Sequence, residues 1–112
     1  MPHDHKNNLS VYHAATPETV AQAIDGALAV KEQWEDLPWA DKAAIFLKAA
    51  DLVATKYRFE IMAATMLGQG KNAWQAEIDA AAELADFLRF SVKFVEELYQ
   101  QQPQRNSPAV WK

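Results

Sequence analysis

The stretch from Ala73 to Gln101 carries the longest helical period in the chain, and it makes any fold built on this sequence mainly helical. At about 100° per residue, Asp79, Glu83, Asp86, Arg89, Lys93 and Glu97 fall into one charged stripe. Trp74, Ile78, Ala81, Leu84 or Ala85, Leu88, Val92 and Val95 form an apolar face, which Phe87 and Phe94 widen. Two residues break this pattern: Phe90 lies inside the charged stripe, and Glu77 lies among apolar neighbours. A break of this kind marks a functional position, a strained one or a surface for a partner.

The remaining helices have legible ends. Thr16 can cap a helix, Pro17 suits its first position, and Glu18 favours the positive end of the dipole. Val20, Ile24, Ala27, Val30 or Lys31, and Trp34 then follow helical spacing until Pro38. A second helix is predicted over "WADKAAIFLKAADLVATKY", with Ile45, Ala49, Leu52 and Val53 on its buried side. "RFEIMAATML" continues helical after a break near Tyr57, and Gly68 and Gly70 stop it. Upstream, Leu9, Val11 and His13 in "LSVYHAA" share one face of a short strand, with no convincing second strand to pair with. Pro103 and Pro108 make the tail loop-like, and it ends on the strand-like "AVWK". The expected organisation is an extended N-terminal segment over residues 1–15, three to four helices over 16–101, and a tail over 102–112. Strand-like ends without partners, on either side of a helical middle, point to a fragment of a larger fold.

Composition excludes several functions. The net charge is −4 with no basic stripe, which argues against a nucleic-acid partner. No cysteine is present, so there is no disulfide scaffold, no thiolate metal site and no cysteine nucleophile. No apolar run approaches the roughly 20 residues of a membrane span. "MPHDHKNNLS" lacks the apolar core of a signal peptide, so a soluble intracellular protein is expected.

Three motifs deserve weighing. "GQGK" at Gly68–Lys71 resembles a phosphate-binding loop, but such a loop needs a preceding strand, a longer glycine spacing and a Ser or Thr after the lysine. Here a helix precedes and Asn72 follows, so the glycines end one helix and Asn72 caps the next. "HDH" at His3–His5 could bind a metal only weakly; a stable site wants three or four convergent ligands, and the third histidine, His13, lies in the same segment. Asp79 and Glu83 share a helix face with Asp86, which usually means a solvated surface and only rarely an acid–base pair. No Ser/His/Asp or Cys/His set can be assembled.

"IFLKAADLVATKYRFEIMAATMLGQGKNAWQAEIDAAAELADFLRF", from Ile45 to Phe90, resembles the delta-1-pyrroline-5-carboxylate dehydrogenase branch of the aldehyde dehydrogenase superfamily. "PHDHKN", "AIDGALAVKEQWEDLPWADKAAIFLKAAD" and "EELYQQQP" fit in order, so the likeness covers nearly the whole chain. "GQGK" followed by "QAEIDAAAEL" belongs to this branch; in the wider superfamily a Glu commonly precedes the Gly-Lys.

The resemblance implies a parent enzyme that oxidises L-glutamate gamma-semialdehyde to L-glutamate in proline breakdown and passes a hydride to NAD. It implies an α/β aldehyde dehydrogenase fold of which this chain is an early helical part. The family's cysteine nucleophile and nucleotide-binding strands have no counterpart here, so the chain alone is expected to be inactive, with no catalytic, cofactor-binding or metal-binding residue of its own. One residue carries over: by its spacing before "DF" and "RF", Glu83 matches a glutamate lining the substrate entrance, where it would orient polar groups around the substrate. Lys42 stands where the superfamily often has an arginine. Expected partners are the remainder of the dehydrogenase and further copies of the chain, joined through exposed apolar helix faces; no nucleic acid or membrane is expected. The expected compartment is the cytoplasm, or the mitochondrial matrix in a eukaryote. The alternative is a stand-alone helical interaction module descended from the enzyme.

Overall fold

A computed structural model describes residues 1–101 as a set of helices, with no strand among the described residues. The loop-like tail and "AVWK" lie outside them. Helix α1 (Pro17–Ala29) begins where the cap residues require: the Thr16 side chain accepts from the Thr19 N–H, with Pro17 in the first turn. The single helix expected from Thr16 to Pro38 is instead two. Val30 leaves helical geometry (φ −107°, ψ 2°) and α2 (Lys31–Asp36) follows. Helix α3 (Trp39–Ala54) starts directly after Pro38 and ends at Thr55, whose hydroxyl donates to the Asp51 carbonyl at 2.6 Å. The break expected near Tyr57 is present, and α4 (Arg58–Gln69) follows it.

Gly68 lies within α4, so only Gly70 ends that helix. Its left-handed backbone (φ 67°) lets its N–H reach the Met66 carbonyl at 3.0 Å. Asn72 then caps α5 (Ala73–Ala76) in a reciprocal box with Gln75: each backbone N–H donates to the other's side-chain oxygen, at 2.9 and 3.0 Å. The glycines of "GQGK" thus join two helices, as the sequence indicates.

The N-terminal residues do not form a strand. Residues 1–7 fold into turns in which Asp4 accepts from the Lys6 N–H and the Asn7 side chain. Residues 10–16 have no regular structure. This segment lies against the end of α4: Leu9 approaches Gly68 and Pro2 approaches Gly70, so that a Cβ on either glycine would sit 3.8 or 3.6 Å from them.

The long final helix is continuous but not uniform. After α5 the chain makes a π-helical turn (Glu77–Ala82) before resuming as α6 (Glu83–Gln100). Helices α3 and α6 pack along each other, while α4 packs on α5 and the π turn. The buried hydrophobic residues at these seams are all alanines: Ala43, Ala50, Ala76, Ala81 and Ala85. Small side chains let the helix backbones approach closely. The larger apolar residues therefore do not form the core the periodicity suggests. Ile45, expected on the buried side of α3, is 52% exposed, and Trp74, Ile78, Leu84, Phe87 and Phe94 are exposed as well. Helix α1 packs only on α2, and its apolar row Val20, Ile24 and Leu28 faces solvent. Lys42 joins this arm to α3 by donating to the Glu35 carbonyl at 2.9 Å, with its ammonium 5.9 Å from the Trp34 ring centroid.

Candidate functional site

The π turn decides which residues share a face. In an uninterrupted α-helix Ala76 and Ala81 would point about 140° apart. Both are fully buried here because five residues complete one wider turn; the Glu83 N–H reaches back five residues to the Ile78 carbonyl. The inserted residue shifts everything after it. Ala81, Ala85, Leu88, Val92 and Val95 become the inward row, and Glu83, Phe87, Phe90 and Phe94 become an outward one.

Phe90 is therefore not an isolated aromatic in a charged stripe. It stacks on Phe94 with ring centroids 6.1 Å apart and planes inclined by 24°, on the same face as Phe87. With Ile78, Asp79, Ala82, Glu83 and Asp86, these rings line an open hollow of about 590 Å³. Every lining residue comes from this one continuous helix, so the opposite wall has to be supplied from elsewhere.

The three acids on this face differ in what they already hold. Asp79 is paired with Lys71 at 2.5 Å, and Asp86 has Arg89 at 3.9 Å. Glu83 has no ion-pair partner among the described residues and stands exposed at the head of the aromatic row. Its carboxylate is the one left free to receive a donor. A carboxylate beside apolar rings suits a ligand with a polar or cationic group next to an aliphatic stem.

Glu77, the other break in the pattern, is accounted for within the chain. It forms an ion pair with Arg58, both side chains about two-thirds buried. Sequence periodicity marked Glu77 as anomalous but could not name its partner, which lies one helix earlier. At the N-terminus, Asp4 is committed to the turn it organises, and no cluster of three or more potential ligands stands ready for a metal among the described residues. No helix among the described residues is long and apolar enough to cross a membrane.

The chain was compared with known proteins. It is 65% identical over 111 residues to delta-1-pyrroline-5-carboxylate dehydrogenase of Agaricus bisporus, covering 99% of this chain and 20% of the relative. It is 49% identical over 102 residues to the mitochondrial delta-1-pyrroline-5-carboxylate dehydrogenase of Homo sapiens, covering 91% of this chain and 18% of that one. Among solved structures, the delta-pyrroline-5-carboxylate dehydrogenase from Mycobacterium tuberculosis superposes with a TM-score of 0.76 at 49% identity, over 84% of this chain and 17% of that one. The chain thus spans about a fifth of the length of the curated relatives it matches. A family model described as the aldehyde dehydrogenase family matches residues 1–111, and with the helices superposing on a solved relative, the chain belongs to that family.

Proposed function

We propose that this chain serves as a helical segment of a dehydrogenase that oxidises L-glutamate gamma-semialdehyde to L-glutamate with NAD as hydride acceptor, and that Glu83 is its contribution to the substrate site. The observation that carries this reading is the free carboxylate of Glu83 beside a one-sided hollow. In this reading the remainder of the dehydrogenase supplies the missing wall, the cysteine nucleophile and the NAD site. Glu83 accepts hydrogen bonds from the polar end of the substrate and takes no part in the covalent step. The chain by itself catalyses nothing.

The exposed area supports the need for cover. The chain exposes 9426 Å², whereas a compact monomer of its mass exposes about 6,200 Å². The difference matches what obligate interfaces bury. The remainder of the polypeptide accounts for most of it, and copies of the chain associate through the same apolar faces when that remainder is absent. No nucleic acid is required. Relatives whose names place them in mitochondria support the mitochondrial matrix as the compartment in a eukaryote, and the cytoplasm otherwise.

A chimera tests the reading. The matching segment of the Agaricus bisporus enzyme is replaced by this chain, and NAD reduction is followed with the semialdehyde. The chimera is expected to be active. Glu83→Ala should raise KM by roughly tenfold to a hundredfold with a smaller change in kcat, the loss of one hydrogen-bonded charge contact. Unchanged kinetics in Glu83→Ala would remove Glu83 from the site, and a dead but folded chimera would remove the functional reading.

A further inference from the structure

We infer that Arg58 is a positioning residue: by holding Glu77 it maintains the π turn, and so sets the direction in which Glu83 leaves the helix. The inference rests on the reading of Glu83 given above, but its structural half stands by itself. The local sequence does not favour a π turn. Glu77–Ala82 reads "EIDAAA", and alanine is the best α-helix former known, so the segment left alone closes ordinary four-residue turns. π turns are rare, and one persists only where tertiary contacts hold it.

Two ion pairs do so here, from either end of α4. Arg58, its first residue, grips Glu77, the first residue of the π turn. Lys71, just past its end, grips Asp79, the third residue, at 2.5 Å. Of the two, the Arg58 contact is the anchored one. Both its side chains are mostly withdrawn from solvent, at 33% and 29% exposure. The same guanidinium donates to the Ala54 carbonyl at the end of α3, at 3.3 Å. Arg58 thereby ties the last turn of α3 and the start of α4 to the one point where the final helix departs from α geometry. A planar guanidinium with several donors can hold a carbonyl and a carboxylate at once, whereas an ammonium holds them less directionally. If the turn reverts to α geometry, Glu83 swings by about one residue, roughly 100°, and leaves the aromatic row.

The test reads the hydrogen bond itself. The nuclear-magnetic-resonance coupling across the bond from the Glu83 N–H to the Ile78 carbonyl arises only in the five-residue turn. It is expected in the unmodified chain and should be lost in Arg58→Ala and in Glu77→Ala, replaced by a coupling to the Asp79 carbonyl. The exchange of both charges, Arg58→Glu with Glu77→Arg, should restore it. Should Arg58→Ala fail to fold by circular dichroism, the exchange variant decides: recovery of fold and coupling together upholds the clamp. Persistence of the Ile78 coupling in Arg58→Ala, its absence in the unmodified chain, or failure of the exchange to restore it overturns the inference. In the chimera, Arg58→Ala should raise KM by a factor similar to Glu83→Ala. If Glu83→Ala raises KM and a folded Arg58→Ala does not, the positioning role is overturned. If Glu83→Ala itself has no effect, the reading of Glu83 fails and the clamp is judged by the coupling alone.

Discussion

Ala76 and Ala81 stand five positions apart and are both fully excluded from solvent, which an uninterrupted α-helix would forbid. Their shared burial is the packing counterpart of the π turn: α4 lies against α5 and the π segment with nothing larger than a methyl group at the seam. A larger side chain has no room there. Ala81→Leu should destabilise the chain by about 1–3 kcal/mol through overpacking, seen as a lower midpoint in urea. A midpoint equal to that of the unmodified chain would mean the seam is loose.

Two glycines should respond to alanine with opposite signs. Gly70 holds a left-handed backbone (φ 67°), and the space beside it is ordinary, so the conformation alone penalises a Cβ. Gly70→Ala should cost about 1–2 kcal/mol. Gly26 lies inside α1 with nothing within 4 Å of an added Cβ. Gly26→Ala should raise helicity by circular dichroism, through roughly 0.5–1 kcal/mol of helix propensity. Equal responses at the two positions would contradict the assigned backbone geometry.

The start of α1 carries a pH signature. Hydrogen bonding from the Thr16 side chain, and then from its own backbone, holds the Glu18 carboxyl below its ordinary value. A depressed folded value means the charged form favours the helix. Its contribution is therefore complete above the unfolded-state value and is lost as pH falls through the folded one. A carboxyl-carbon titration should place Glu18 lower than the exposed Glu32, and Thr16→Ala should bring the two together. Coincident titrations in the unmodified chain would sink the assignment.

Self-association follows from the uncovered faces. Phe87, Phe90 and Phe94 on α6, and Val20, Ile24 and Leu28 on α1, are half or more exposed. Sedimentation velocity should show a concentration-dependent approach to dimers or larger species, reduced by Phe90→Asp. A single monomer boundary across a hundredfold concentration range would show that these faces do not attract each other.

Much of the outline was legible because it depends on neighbours in sequence. Thr16, Pro17 and Glu18 open a helix, Pro38 separates two, Gly70 ends one, and Asn72 caps the next, each through contacts spanning only a few residues. The motif residues of Ile45 to Phe90 likewise carry the family resemblance without any coordinates.

The inward and outward faces were not legible in the same way. Periodicity at a constant 100° assigns Ile45, Trp74 and Leu84 to a core, yet alanines occupy the seams and these larger side chains point outward. A hydrophobic pattern records that a residue is buried in the complete fold, without recording which element buries it. Here the chain spans a fifth of its relatives' length, and the faces lie open.

The amino-acid order by itself determined where helices begin and end, the family, and which glutamate to examine, because capping, proline and glycine effects act within one turn. Tertiary structure alone decided the π turn. An alanine-rich segment has no local reason to adopt it, and it exists through the grip of Arg58 on Glu77, a residue one helix away in sequence. That contact places Glu83 beside Phe87, Phe90 and Phe94, since one inserted residue rotates every side chain that follows it.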